Sequence, residues 1–313
     1  MAEQPELLPS RPALTANASL QAALGAFEQH MEEEGFATNT QKAFRSDIRL
    51  LGKFLGIGQP IGEIGTQNLN DFLYWLRFDR GVPCSPKSYS RRVTTLKVFF
   101  GWLAETGVLY HDPAANVVQQ SVSSPLPTVP SAREIDAALA VTERLREGTN
   151  GEKPDSRPHL LLTLLLDTGI KKSEAMAIVP NHIDRGDPEE PVLFIRYADP
   201  SRRYKERKIP LPAEWLETLE EYLEQYEPPD TLFTCTARNL EYILSDVAEQ
   251  AGLDKGLLSF ENLRWASALR DYRSGIEPNT VRERLGLSKV TWRETRSRLD
   301  KLAQREKKTV GLP

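Results

Sequence analysis

The chain has 313 residues, of which 40% are hydrophobic and 27% are charged, and this length can supply two domains with separate cores. No apolar run approaches the ~20 residues that span a bilayer, and the first residues lack the pattern of a signal peptide, so we expect no membrane segment. The net charge of −4 excludes a uniformly basic protein, although basic residues outnumber acidic ones by 14 to 7 from Lys255 to Pro313.

The first part of the chain is predicted to be a small helical domain. Residues 1–18 contain three prolines and no periodic apolar pattern, which predicts a disordered lead. In residues 19–118, apolar side chains recur at helical spacing in four stretches. Four helices in about a hundred residues are typical of an all-α bundle. The helices are expected to begin near Leu20, at Thr38 or Asn39, at Asn68 and at Lys87.

A linker separates this bundle from a second domain. Residues 119–131 (QQSVSSPLPTVPS) are rich in Ser and Pro, which is typical of an interdomain connection. Ser131 and Glu134 form a capping-box pair, which predicts a helix through about Glu147. The second domain is therefore assigned to residues 132–313.

Two stretches of the second domain combine a turn with basic residues. In HLLLTLLLDTGIKKSEAMAI, Gly169 permits a tight turn between two helices, and Lys171 follows it. In VLFIRYADPSRRYKERKIPL, strand alternation on both sides of Asp199-Pro200 predicts a β-hairpin. Its turn carries the densest basic cluster of the chain, for which a solvated tip is the alternative interpretation. The five bases are Arg202, Arg203, Lys205, Arg207 and Lys208.

The stretch SFENLRWASALRDYRSGIEPNTVRERLGLSK (259–289) predicts two further helices. The first begins near Glu261 and carries Arg264 one turn in, and the second ends at Gly286. A last amphipathic helix, residues 291–308, is expected to dock on its own chain, on a second copy or on DNA.

These boxes, in this order and spacing, resemble those of the tyrosine recombinases and phage integrases, Xer-like members included. The family's first box is Thr-Gly-x-Arg-x-Ser-Glu, and Lys171 stands here at its arginine position. Its second box is His-x-x-Arg, and here Glu261 precedes the matching Arg264. A Leu-Gly-His follows in the family, with the nucleophilic tyrosine nine residues after that histidine. Leu287 and Arg296 occupy those two positions.

The resemblance implies a mainly α fold with a small β-sheet, arranged as a two-domain C-shaped clamp. Its parts would be a helical SAM-like core-binding domain and a recombinase catalytic-type domain. Family members carry a hairpin lysine that protonates the leaving oxygen, and Arg202 stands near that position. Arginine is a poor proton donor, and the last tyrosine of the chain is Tyr272. The resemblance therefore implies no catalytic residues and a protein that is not an enzyme. The vestigial positions are Lys171, Arg202, Glu261, Arg264, Leu287 and Arg296.

The same resemblance implies that duplex DNA is the partner, bound mainly through phosphates in an architectural, DNA-packaging or regulatory role. Arg264 is expected either to bind a phosphate or to pair with Glu261. Three alternatives stay open: a strand transferase with a displaced nucleophile, an accessory partner of an active recombinase, or a pure protein–protein module. The candidate DNA contacts are Lys42, Arg45, Lys87, Arg91, Arg92, Lys171, Arg202, Arg203, Lys205 and Arg264, and the displaced nucleophiles are Ser288, Thr291, Thr295 and Ser297.

Cofactors and metals are not expected. Four histidines are scattered without ligand spacing, and Cys84 and Cys235 lie far apart. The cysteines fit a reducing cytoplasm, and DNA binding would place the protein on the nucleoid. Self-association is expected, if at all, through helix 291–308.

Overall fold

The computed structural model describes residues 14–118, 125–148, 151 and 153–310, with the backbone alone for 306–310. Internal contacts divide the chain into two compact units, residues 1–125 and 126–313. Within the described residues, no helix has both the length and the hydrophobicity for a membrane crossing.

The first unit is a bundle of four helices, as predicted. Ser19 and Ser85 cap α1 and α4 by accepting hydrogen bonds from backbone N–H groups. Aromatic side chains fill the core, and the rings of Phe27 and Phe99 meet edge to face with centroids 5.1 Å apart. The helices are α1 (Leu20–Glu33), α2 (Thr38–Leu55), α3 (Thr66–Phe78) and α4 (Pro86–Glu105).

The expected disordered lead differs from the structure at residues 14–18. Leu14 and Ala16 pack against the core of the first unit, and the carbonyl of Ala16 accepts a hydrogen bond of 2.8 Å from the Gly62 N–H. Apolar contact and backbone pairing order this short stretch although it has no periodicity. The rest of that lead, residues 1–13, lies outside the described residues, as do residues 119–124 of the predicted linker.

The second unit is mainly helical and contains one small antiparallel sheet. Strands β1 (Ile183–Asp184), β2 (Val192–Ile195) and β3 (Arg207–Pro210) lie in the order β1-β2-β3, with Leu193 opposite Ile209. The predicted hairpin is present, and a 3₁₀ helix, Pro200–Lys205, connects β2 to β3. The mainly α fold with a small sheet is thereby confirmed.

Helices of the second unit surround a leucine-rich core. α6 is central, packing against α5, α8, α9 and α10. The last helix, α12, buries Leu299 and Leu302 against α10 and α11 of its own unit. The helices are α5 (Ala132–Glu147), α6 (Arg157–Thr168), α7 (Lys172–Ala175), α8 (Trp215–Tyr226), α9 (Ala237–Gln250), α10 (Phe260–Arg273), α11 (Pro278–Arg284) and α12 (Lys289–Val310).

Candidate nucleic-acid interface

The turn between α6 and α7 positions Lys171. α6 ends at Gly169, whose φ of 58° lies in the left-handed region. A Cβ there would lie 3.1 Å from both the Leu285 Cδ2 and the Ser267 Oγ, so the close approach of α10 also favours glycine. Glu174 then accepts a hydrogen bond of 2.8 Å from the Lys171 N–H and caps α7. This local chemistry fixes the backbone of Lys171.

Arg264 joins this turn to the end of α11. Ser259 caps α10, and Arg264 lies one turn into that helix. Its Nη1 donates to the carbonyl of Gly169 and its Nη2 to the carbonyl of Leu285. Burial lowers the pKa of Arg264 to about 10. The guanidinium thus holds two backbone turns, a role that neither sequence-based alternative for Arg264 included.

In α7, which follows this turn, Glu174 forms an ion pair with Arg207. Arg207 Nη2 lies 2.9 Å from Glu174 Oε2, and Tyr197 donates its hydroxyl to the same carboxylate. Burial alone would raise the pKa of Glu174, but the hydrogen bonds and charge of Arg207 lower it to about 2. Arg207, one of the five bases of the predicted hairpin cluster, therefore lies in the protein interior, with only 8% of its side chain exposed.

A cavity of about 340 Å³ opens beside Arg264, and we call it the Arg264 cavity. It gathers four of the six vestigial positions. Burial lowers the pKa of Lys171, and its Nζ lies 3.7 Å from Glu174 Oε1. The lining residues are Lys171, Lys172, Phe260, Glu261, Arg264, Trp265, Ala268, Leu285, Leu287 and Thr295.

The other two vestigial positions do not line this cavity. Arg202 lies in the 3₁₀ helix between β2 and β3, 3.2 Å from Asp199. Arg296 is exposed on α12, close enough for its charge to act on Tyr272, which donates its hydroxyl to Asp300. The candidate contacts Arg203 and Lys205 lie beside Arg202 in the same 3₁₀ helix.

Thr295 is a cavity residue that the box alignment does not single out. It precedes Arg296, and its Oγ1 donates to the Thr291 carbonyl. Among the described lining residues it is the one representative of the four hydroxyl side chains considered as displaced nucleophiles. Thr295 reaches the cavity only because of how α12 packs in the folded chain. The sequence therefore offered no signal that distinguishes Thr295 from the other three hydroxyl side chains.

The first unit carries a basic concavity of about 330 Å³, called here the Arg92 concavity. Three predicted contacts line it, together with three cations that were missed. Arg49 and Lys53 follow Arg45 at intervals of four residues, which places all three on one face of α2, and this spacing could have identified them as candidate contacts. Arg80 follows the end of α3, and no local sequence pattern indicates that it joins them. The lining residues are Lys42, Arg45, Ser46, Arg49, Leu50, Lys53, Arg80 and Arg92.

Asp47 forms ion pairs with two arginines next to this concavity. Its buried carboxylate lies 2.8 Å from Arg91 Nη2 and 3.5 Å from Arg92 Nε, and Thr95 donates to it. Burial raises the pKa of Asp47, and the two arginines oppose that effect. Arg91 and Lys87 do not line the concavity, so the structure separates these two candidates from the other three.

Comparisons with known proteins cover both units. Residues 24–108 match the model of the phage integrase N-terminal SAM-like domain, and residues 133–293 match that of the phage integrase family. The tyrosine recombinase XerD of Listeria innocua is 24% identical over 287 residues, covering 86% of this chain and 91% of that protein. The XerD of Agrobacterium fabrum is 28% identical over 300 residues, covering 86% and 87%.

Solved structures share the fold. A lambda integrase dimer bound to a COC' core site superposes with a TM-score of 0.69 at 18% identity, covering 88% of this chain and 77% of that one. The post-cleavage complex of the XerH recombinase with palindromic difH substrate gives 0.68 at 16% identity, covering 97% and 98%.

These comparisons overturn one expectation. The inference that the chain is not an enzyme, and with it the description as a pseudoenzyme, is wrong, because relatives across most of its length are named tyrosine recombinases, a class of enzymes. Altered residues at the box positions, and the lack of a tyrosine after Tyr272, do not by themselves exclude activity. With more than half of its residues matched by that family model, the chain belongs to the phage integrase family of tyrosine recombinases.

Proposed function

We propose that this protein binds duplex DNA mainly through phosphates, using the Arg92 concavity of the first unit and the Arg264 cavity of the second. One observation carries the proposal: six cationic side chains line the Arg92 concavity of a chain whose net charge is −4. Within 4 Å of these cations, Glu28 pairs with Arg45 and Arg49, and Asp47 pairs with Arg92. Among the residues that the structure describes, two carboxylates against six cations leave a concentrated positive charge, which attracts a polyanion.

The related structures support this proposal. The lambda integrase structure is a complex with a core site, and the XerH structure is a complex with its difH substrate. By analogy, residues 19–118 and 132–313 would be two DNA-binding domains joined by residues 119–131. In the cell the protein would act on the nucleoid in an architectural or regulatory role, with or without an active recombinase, and helix α12 would contribute to any self-association.

A salt series tests phosphate binding. With about six neutralised phosphates, the slope of log affinity against log salt concentration should be near −5. Replacing Arg49 and Lys53 together by alanine should make the slope less steep by about 2. Arg133→Ala is the matched control, because Arg133 is exposed on α5 and lines neither cavity. A slope near zero, or equal slopes in the double variant and the parent, would contradict the proposal.

A second function, DNA strand transfer, is favoured by the position of Thr295 in the Arg264 cavity. Its Oγ1 would form a bond to phosphorus while the bond from phosphorus to the leaving sugar oxygen breaks. The Glu261 carboxylate, which lines the same cavity, would take the hydroxyl proton, and the Lys171 ammonium would give a proton to the leaving oxygen. Lysine, unlike arginine, can serve as that donor.

A nicked suicide substrate tests strand transfer. The expected product is a covalent protein–DNA band on a denaturing gel that alkali destroys, as it does for a phosphothreonyl ester. Thr295→Ala should abolish the band, whereas Ser297→Ala should retain it because Ser297 lies on α12 outside the cavity lining. An adduct that survives Thr295→Ala, or no adduct at all, would exclude this route.

A further inference from the structure

The turn between β2 and β3 is exposed, and hydrogen bonds to one of its own side chains hold its first residues. Asp199 caps the 3₁₀ helix Pro200–Lys205 by accepting hydrogen bonds of 2.9 Å from the Ser201 N–H and 2.7 Å from its hydroxyl. Pro200 fixes the first backbone dihedral of that helix. Side chains on this turn are therefore presented from a defined backbone.

Tyr204 presents an aromatic ring to solvent from this turn. The residue is 74% exposed, and the Lys205 Nζ lies 5.1 Å from the centroid of its ring. Arg202 and Arg203 precede it, and both are exposed. An exposed ring in contact with one cation, and next to two more in the sequence, gains nothing from the core of the protein. It is, however, the combination that binds single-stranded nucleic acid, in which rings stack on bases and cations hold the neighbouring phosphates.

Hydrogen bonds connect the turn to the wall of the Arg264 cavity. The Lys205 carbonyl accepts from Arg207 Nη1 at 3.2 Å, and Arg207 Nε donates at 2.7 Å to the carbonyl of Arg284, next to the cavity residue Leu285. The positive charge of Lys205 also acts on Lys171, which lines the cavity. The turn that carries Tyr204 is therefore linked through Arg207 to the wall of the Arg264 cavity.

We propose that Tyr204 stacks on an unpaired nucleobase, so that this turn binds DNA where the duplex is interrupted by a gap or an extrahelical base. The proposal rests on the proposed DNA binding and specifies which DNA is preferred. In an intact duplex every base is stacked between its neighbours and offers only its edges to the grooves. The face of Tyr204 then has no partner, whereas an unpaired base provides one at a low cost of unstacking.

The experiment compares two labelled DNAs, an intact duplex and the same duplex with a short single-stranded gap, by fluorescence anisotropy with the full chain. The parent protein should bind the gapped DNA about tenfold more tightly, a typical effect of one stacked base. Tyr204→Phe keeps the ring and should keep the preference. Tyr204→Leu should bind both DNAs equally. Tyr110→Leu is the control, because Tyr110 is fully exposed in the first unit.

A second readout follows stacking directly. A 2-aminopurine placed in the gap should lose fluorescence on binding the parent protein and Tyr204→Phe, and should keep it with Tyr204→Leu. Binding of intact and gapped DNA with equal affinity by the parent, or a preference that survives Tyr204→Leu, would overturn the stacking proposal alone. Failure to bind either DNA would overturn the proposed function as well.

Discussion

Arg207 and Glu174 form an ion pair that is almost completely removed from solvent, with 8% and 1% of their side chains exposed. It ties strand β3 to helix α7, and Arg207 Nε also donates to the carbonyl of Arg284. An ion pair in such surroundings adds little stability over an apolar replacement of both partners. Loss of Arg207 alone, however, removes the nearest opposite charge from a buried carboxylate and leaves it Tyr197, the Lys171 N–H and the more distant Lys171 ammonium. The position of Lys171 beside α7 therefore depends on this pair.

Removing the guanidinium should destabilise the second unit. Arg207→Met leaves the Glu174 carboxylate buried beside an apolar side chain, and we expect a loss of about 3–5 kcal/mol in the free energy of unfolding. Urea denaturation of the full chain measures it. Arg203→Met, at an exposed position of the preceding turn, should change the value by less than about 0.5 kcal/mol. Equal stability of the two variants would mean that water reaches the Glu174 carboxylate.

The same carboxylate should make stability depend on pH. The pKa of Glu174 is lowered from 4.5 to about 2 in the folded protein, so its contribution is complete above pH 4.5 and is lost as the pH falls towards 2. That shift corresponds to about 3 kcal/mol. Glu174→Gln cannot titrate, so the stability difference between the parent and this variant should shrink across that interval. Urea titrations at several acidic pH values test it, and a constant difference would contradict it.

The sequence predicted the helices well and the individual arginines poorly, for a physical reason. Helices follow from apolar spacing and caps such as Ser131 and Ser259, which are local signals. Arg207 lies in a run of bases, and only its distant partner Glu174 decides that it is buried. Arg264 was identified from its box, but its two carbonyl partners lie on turns that only the folded chain brings together.

Arg264→Lys should destabilise the protein although it keeps the positive charge. A lysine has no planar fork and cannot donate to the carbonyls of Gly169 and Leu285 in the same geometry. Losing one charge-assisted hydrogen bond costs about 1.5–3 kcal/mol, and we expect a loss of about 2 kcal/mol on urea denaturation. Arg293→Lys, exposed on α12, is the control. No difference between the two would show that the carbonyl bonds add nothing to stability.

Gly286→Ala should destabilise the protein more than Gly275→Ala, a substitution at a glycine with similar backbone strain. Gly286 has φ 58°, and a Cβ there would lie 2.8 Å from Arg207 Nη1; Gly275 has φ 82° and open space around it. Both variants carry the cost of a left-handed alanine, about 1 kcal/mol. Gly286→Ala must also displace the guanidinium of a buried ion pair. Thermal denaturation should therefore show a larger decrease for Gly286→Ala, and equal decreases would mean that Arg207 moves without cost.

Lys171 should make DNA affinity depend on pH in the alkaline range. Its pKa lies below the 10.5 of an ordinary lysine because of burial, so its positive charge is lost at a lower pH than that of exposed lysines. Lys171→Arg keeps its charge throughout and presents a planar fork that can bind two phosphate oxygens at once. The parent should therefore lose affinity between neutral and alkaline pH, and Lys171→Arg should lose less. Parallel pH profiles of the two proteins would show that Lys171 does not contact the phosphate.

The two hydrogen bonds of Arg264 also affect how a ligand would enter the Arg264 cavity. Because one side chain fixes the turns at Gly169 and Leu285, two walls of the cavity are assembled when the protein folds. Their conformational entropy is lost at that stage, and binding need not order them again. A rigid opening selects by fit, so a group of the wrong width is rejected instead of being accommodated by movement of these turns.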